Sequence, residues 1–231
     1  MARWKSLALG GLAVALAQLA LGAPSQDAPP AAGPYDTPPT AMPRDGTPGT
    51  NVLAERVVLY EEDPNNANGE RYAGTVTWRV DHVGEPDAPQ LETVLRADIE
   101  IPERNMALTW SLRRNTDKSL PASHTIEVTF TLRPGFVHGG VQNVPGVLLK
   151  AAEQSRGEPL SGRSVKVTSS YFMMGLSSIA KELEHNVALL KSREWIDVPI
   201  VYTDDRRAIL AIKKGPAGAR AFDEAFAAWG L

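Results

Sequence analysis

The strongest constraint on how this chain folds is a period-two alternation that recurs in successive segments. Residues 91–101 (LETVLRADIEI) set Leu91, Leu95, Ala97, Ile99 and Ile101 against Glu92, Arg96, Asp98 and Glu100, and side chains two apart share one face of a strand. Residues 105–113 repeat the pattern with Met106, Leu108, Trp110 and Leu112, and residues 124–132 with Ile126, Val128, Phe130 and Leu132. One-sided alternation in consecutive segments calls for an antiparallel meander with one buried and one wet face. Residues 56–61 and 72–82 fit the same sheet, the latter aligning Tyr72, Gly74, Val76, Trp78 and Val80. They predict a hairpin closed by residues 63–69 (DPNNANG), which tolerate turns and left-handed backbone.

Further along, residues 165–173 predict a sixth strand. Residues 195–202 and 206–213 predict a second hairpin across Thr203, Asp204 and Asp205. Helical spacing appears twice. Leu176, Ile179, Ala180, Leu183, Val187 and Leu190 make one stripe over 176–191, with Ser177 or Ser178 as N-cap; Phe222, Ala225, Phe226 and Trp229 make another over 217–229, just after Pro216. Strands in runs followed by helices predict an α+β fold: an antiparallel β-rich meander or sandwich with two helices in the C-terminal half. Residues 51–231 suffice for a single globular domain.

The terminus carries a different signal. Arg3 and Lys5 precede an apolar run over 7–21, interrupted only by small residues and Gln18, and Gly22 and Ala23 follow. That order predicts a signal peptide or N-terminal membrane anchor over 1–23. The run falls short of the roughly 20 residues that span a bilayer comfortably, and Ala20, Leu21 and Gly22 suit a peptidase cutting after Gly22. Pro24 obstructs that site, whereas cleavage after Ala17 avoids it. Trp4 beside the two cations equally suits an interfacial anchor, with residues 7–23 in the inner membrane. Both readings place the domain in the periplasm or outside the cell, released or tethered. Eight of the 18 prolines fall within residues 24–50, which predicts a disordered linker.

Composition then removes whole classes of function. With no cysteine, the chain cannot be acylated as a lipoprotein, hold an iron-sulfur cluster or a thiolate zinc, or rely on disulfides. A net charge of −3 with interspersed signs provides no basic footprint for nucleic acid.

Templates for chemistry fit poorly. His82, His124, His138 and His185 share no metal-ligand spacing and are expected at the surface or at strand ends. Residues 160–164 (LSGRS) lack the first glycine of a nucleophile elbow. Residues 178–181 (SIAK) have no partner motifs, so Ser178 is read as a helix cap and Lys181 as solvated. Glu61, Glu62, Asp63, Asn65, Asn66 and Asn68 offer oxygen ligands without EF-hand spacing and are read as turn formers. The pairs Arg113–Arg114, Arg206–Arg207 and Lys213–Lys214 are read as strand-edge or solvated charge. The most unusual loop is 135–146 (GFVHGGVQNVPG), with four glycines, anchors at Val141 and Val144, and no phosphate-cradle motif. Its His138, Gly139, Gly140 and Asn143 form the candidate ligand or partner loop. No catalytic, cofactor or metal residue is expected.

The string over 104–124, the loop over 139–150 and the ending over 195–230 resemble a group of uncharacterised exported or membrane-anchored proteobacterial proteins. A strand pair followed by a short aromatic helix is faintly similar to invasion-associated locus B proteins, whose typical cysteines are missing here. Neither resemblance supplies catalytic residues. The leading expectation is an exported, non-enzymatic envelope protein that binds or assembles, touching the membrane through its N-terminal segment if uncleaved and meeting an envelope partner. An enzyme with dispersed residues around the 135–146 loop, including His138, is the alternative, and a sensor ectodomain is a third.

Overall fold

A computed structural model describes residues 54–84 and 91–231, so the expected signal or anchor and the proline-rich linker lie outside the described residues. The alternating segments become five consecutive antiparallel strands: β1 (Glu55–Asp63), β2 (Asn66–Val83), β3 (Glu92–Ile101), β4 (Met106–Arg114) and β5 (Ala122–Leu132). Then come β6 (Val141–Asn143), β7 (Leu148–Lys150), β8 (Glu158–Pro159), β9 (Gly162–Lys166), β10 (Tyr171–Ser177), helix α1 (Ala180–Ser192), β11 (Trp195–Tyr202), β12 (Arg207–Lys213) and helix α2 (Gly215–Ala228). The strands form one sheet in the order β8-β7-β11-β12-β1-β2-β3-β4-β5-β10-β9, and β6 also pairs with β11. The fold is the expected α+β meander, built as one continuous sheet rather than as two stacked ones.

That sheet must curl. Its terminal strands, β8 and β9, are separated in the chain only by Leu160 and Ser161, and three peptide steps reach no farther than about 11 Å. The two ends therefore meet. Hydrogen bonds bridge the seam: Ser164 Oγ donates to the Val144 carbonyl at 2.6 Å and Lys166 Nζ to the Val141 carbonyl at 2.8 Å.

Strand register carries one apolar face around the concave side. Ile196 pairs with Ile212 and Ile212 with Val57; Val76 pairs with Ile99, Ile99 with Leu108, Leu108 with Phe130; Trp110 pairs with Val128 and Val128 with Phe172. All of these are buried. Helix α2 fills what the curl leaves open: Phe222 meets Trp78 edge-on at 5.4 Å and stacks near Trp110 at 6.3 Å. Close approach is made possible by Gly218, where a Cβ would sit 2.9 Å from Trp78 Nε1. The Trp78 indole N–H donates to the Lys213 carbonyl at 3.1 Å, pinning the helix entry. Lys214, expected as solvated, is instead buried; its ammonium lies 4.0 Å from the centre of the Phe222 ring and donates to the Leu190 carbonyl in the last turn of α1. Burial lowers its pKa to about 8, although Glu194 and Asp223 pull the other way.

Three element expectations change. Residues 165–173 form a hairpin rather than one strand, because Val167 N and Thr168 N both donate to the Tyr171 carbonyl and Thr168 Oγ1 accepts from Tyr171 N. The first helix starts at Ala180, because Leu176 is spent as a buried residue of β10; Ile179, at the N-cap, is exposed, and Ser177 Oγ accepts its N–H. Ser178 therefore is not the cap. The loop over 63–69 shrinks to Pro64 and Asn65, with Asn66 already in β2.

Truncating Phe222 to Ala should lower stability by about 3–5 kcal/mol in urea unfolding, since it leaves a void between α2 and both tryptophans. Lys214 gives an alkaline prediction. Its folded pKa near 8 lies below its ordinary 10.5, so between those values the unfolded chain holds more protons and stability rises with pH. The gain between pH 8 and 10 should be about 2 kcal/mol, and Lys214→Met should flatten it.

Candidate functional site

At one end of the curled sheet β1 and β11 carry a polar pair inward. Glu61 holds the same parity as Val57 and Leu59, and Tyr202 that of Val198 and Ile200, so both point into the core. The Tyr202 hydroxyl donates to Glu61 Oε1 at 2.7 Å, and Arg104 Nη2 donates to Glu61 Oε2 at 2.7 Å. Burial and the Glu61 carboxylate drive the Tyr202 pKa far up, which keeps it a donor.

The 135–146 loop inserts His138 into this pair. Its ring stacks on Tyr202 at 4.3 Å and 5°, with Phe136 edge-on at 5.6 Å. Nε2 lies 2.6 Å from Arg104 Nη2, and Nδ1 lies 2.7 Å from Asp204 Oδ2. Because a guanidinium only donates, hydrogen-bond logic makes Nε2 the acceptor and places the proton on Nδ1, facing Asp204. Burial pushes the Asp204 pKa up, but hydrogen bonds from His138 and the Arg206 N–H, with the Arg206 charge, together outweigh it and hold the carboxyl below its usual value. The backbone is tied as firmly: Thr203 Oγ1 donates to the His138 carbonyl at 2.6 Å, and Thr203 N to the Gly140 carbonyl at 3.0 Å. Gly139 has φ +73°, and a Cβ there would stand 2.9 Å from Thr203 Oγ1.

His138, Gly139 and Gly140 thus belong to one cluster with Glu61, Arg104, Tyr202 and Asp204. Asn143 does not join it; it is exposed on β6 opposite Val201. His138 is only 3% exposed, against the expectation of a surface histidine. Both of its nitrogens are engaged, and among the described residues no serine or threonine hydroxyl hydrogen-bonds its ring. Glu61 was read as a turn former, yet its place on an alternating strand already put a carboxylate among core positions. Of the other groups there, two serve the turn, Asp63 Oδ1 accepting from Asn65 N and Asn66 Oδ1 from Asn68 N, while Glu62 Oε2 accepts from Arg207 N of β12 at 3.1 Å.

His82 and His185 are exposed as expected, whereas His124 is buried in β5. Of the cationic pairs, Arg113 contacts Glu92 and Glu127, and Arg114 reaches the Trp229 carbonyl at 3.4 Å.

An open groove of about 570 Å³ lies on the opposite, convex face. Its floor is the cross-strand row Tyr60, Ile209 and Pro199, with Val201 and Arg207 one step along. Pro199 has no N–H to give. It sits where β11 passes from pairing with β7 to pairing with β6, and Pro145, in the stretch between those two short strands, supplies a wall. Ile209 is 43% exposed at the centre. Glu62, Asp63, Asn66, Asn68 and Arg207 form the rim. The 135–146 loop therefore touches both features, through His138 at the inner cluster and Pro145 at the outer groove.

No protein-family model, curated protein or solved structure matches this chain.

Glu61→Gln should destabilise the protein by about 3 kcal/mol in chemical unfolding, because it strips the partner from a guanidinium that is itself mostly buried. Replacing exposed Asn143 by Ala should leave stability within about 0.5 kcal/mol.

Proposed function

We propose that this chain is an exported, non-enzymatic envelope protein whose domain binds a small amphipathic ligand or partner group in the convex groove. The contrast between the two polar regions carries the reading. His138 meets carboxylates, as a general base would, but it is buried, stacked on Tyr202 and flanked by Phe136. The groove is open, its floor is apolar, and its volume falls within the range of small-molecule sites. At its rim two carboxylates, Glu62 and Asp63, face one guanidinium, Arg207. That balance favours an apolar body bearing a cationic group.

Export is supported by the terminal order of positive, apolar and small residues and by the proline-rich spacer after it. Among the described residues no helix is long and apolar enough to cross a membrane, so any helical tether rests on residues 7–23. Whether the product is released or tethered is read by sequencing the mature N-terminus.

Fusing alkaline phosphatase after residue 50 tests export: active enzyme is expected, and an inactive, cytoplasmic, uncleaved fusion would sink the assignment. For the groove, titrations with 1-naphthylmethylammonium and 1-naphthylacetate should favour the cation several-fold, and Ile209→Ser should weaken it roughly fivefold, about 1 kcal/mol of lost apolar contact. Equal affinity for both probes, or indifference to the Ile209 change, refutes the groove as the site.

A further inference from the structure

We propose that the C-terminal turn of α2 is an acid-released latch, held shut by an uncharged His124 and let go when that imidazole is protonated. Three strands grip this turn. The Trp229 indole N–H donates to the Thr93 carbonyl of β3 at 3.2 Å, Arg114 of β4 donates to the Trp229 carbonyl at 3.4 Å, and the His124 ring of β5 packs against the Trp229 ring at 5.3 Å and 60°. His124 is 5% exposed, and its buried Nε2 has no hydrogen-bond partner among the described residues. A proton placed there enters an apolar pocket with nothing to accept it.

The surroundings make the charge worse. Arg114 is the cross-strand partner of His124, and its field acts on the imidazole; like charges directly opposite on paired strands repel. The flanking β10 positions, Gly175 and Ser177, are uncharged, and α2 presents the Trp229 ring. Burial first, and Arg114 second, lower the pKa of His124 from 6.5 to about 4. The turn-released form, with His124 in water, regains the ordinary value. Between about pH 6.5 and 4 the released form therefore holds more protons, and falling pH shifts the population toward it. Detaching Trp229 and then Phe226 uncovers the apolar concave face beneath α2. The opposite end, pinned by Glu61, Arg104 and Tyr202, has no such weak point.

The test is peptide-level amide exchange on the full chain from pH 7.5 to 4, corrected for intrinsic exchange rates, with the far-ultraviolet dichroism and the uptake of an apolar dye followed in parallel. The expected result is loss of protection over 222–231 together with dye uptake, while β3, β4 and the dichroism stay native. His124→Phe keeps a ring against Trp229 and should abolish this step. His124→Leu keeps an apolar side chain against Trp229, cannot take up a proton either, and should abolish the step as well. The proposal is overturned if protection at 222–231 is lost only together with that of the strands, or if it survives to pH 4. It is equally overturned if His124→Phe, or His124→Leu should that variant not fold, releases the turn at the wild-type pH.

Discussion

Everything in this domain depends on giving one apolar face of a long sheet something to lie against. A flat antiparallel sheet of this length would expose a wide band of Ile, Leu, Val and Trp, and only two α-helices accompany it among the described residues. Curling resolves the conflict, because strands on opposite sides then bury one another's side chains and a single helix suffices for the remaining gap. The two-residue link between β8 and β9 leaves the chain no alternative, since it ties the sheet's own ends together. Side-chain hydrogen bonds from Ser164 and Lys166 to backbone carbonyls then blunt edges that would otherwise invite another chain.

A curled sheet has two mouths, and the chain closes them by different physics. At one, Glu61, Arg104, His138, Tyr202 and Asp204 form a polar plug with each member bonded to a neighbour. Such networks tolerate no loss, because a buried charge without its partner costs more than the pair contributes. At the other, α1 and α2 close the mouth by apolar packing around Phe222, Phe226 and Trp229, with Lys214 joining the helix ends. Apolar packing grades smoothly and can yield turn by turn. The two closures are therefore unequal in kind: one fixes the loop over 135–146, and the other leaves a helix terminus free to respond.

The sheet was legible because parity is a local signal. Trp78, Trp110 and Val128 declare their face within their own strands, and the structure aligns them side by side. Local signals fail where the same residues suit two periods. Leu176 completes a helical stripe and also the alternation Phe172, Met174, Leu176; the second use wins because the core needs it there. Curling was not legible, since it follows from which strands end the sheet, and pairing partners lie far apart in sequence. The candidate site was legible in part. The glycine spacing marked the 135–146 loop, but its partners Glu61, Arg104 and Asp204 come from three distant segments. Glu61 alone gave notice, as a carboxylate on the inward parity of β1.

The groove shows how the two kinds of information combine. Outward positions of a wet sheet face are normally polar, yet the row Tyr60, Ile209, Pro199 is not. Pro199 would break a ladder in mid-sheet, but β11 has its gap in pairing there, so the missing N–H leaves no carbonyl of β6 or β7 unserved. That gap exists because the chain between β6 and β7, residues 144–147, turns Val144 and Val147 into the core and leaves Pro145 outside. One irregularity thus accounts for both the proline in the strand and the hollow beside it. A stretch that serves only structure would be expected to fill such a hollow with its own side chains. Here an aromatic ring, a branched aliphatic and two prolines stand around open space, with charges only at the edge. Apolar walls around an open volume that no side chain fills are what the proposed ligand site requires.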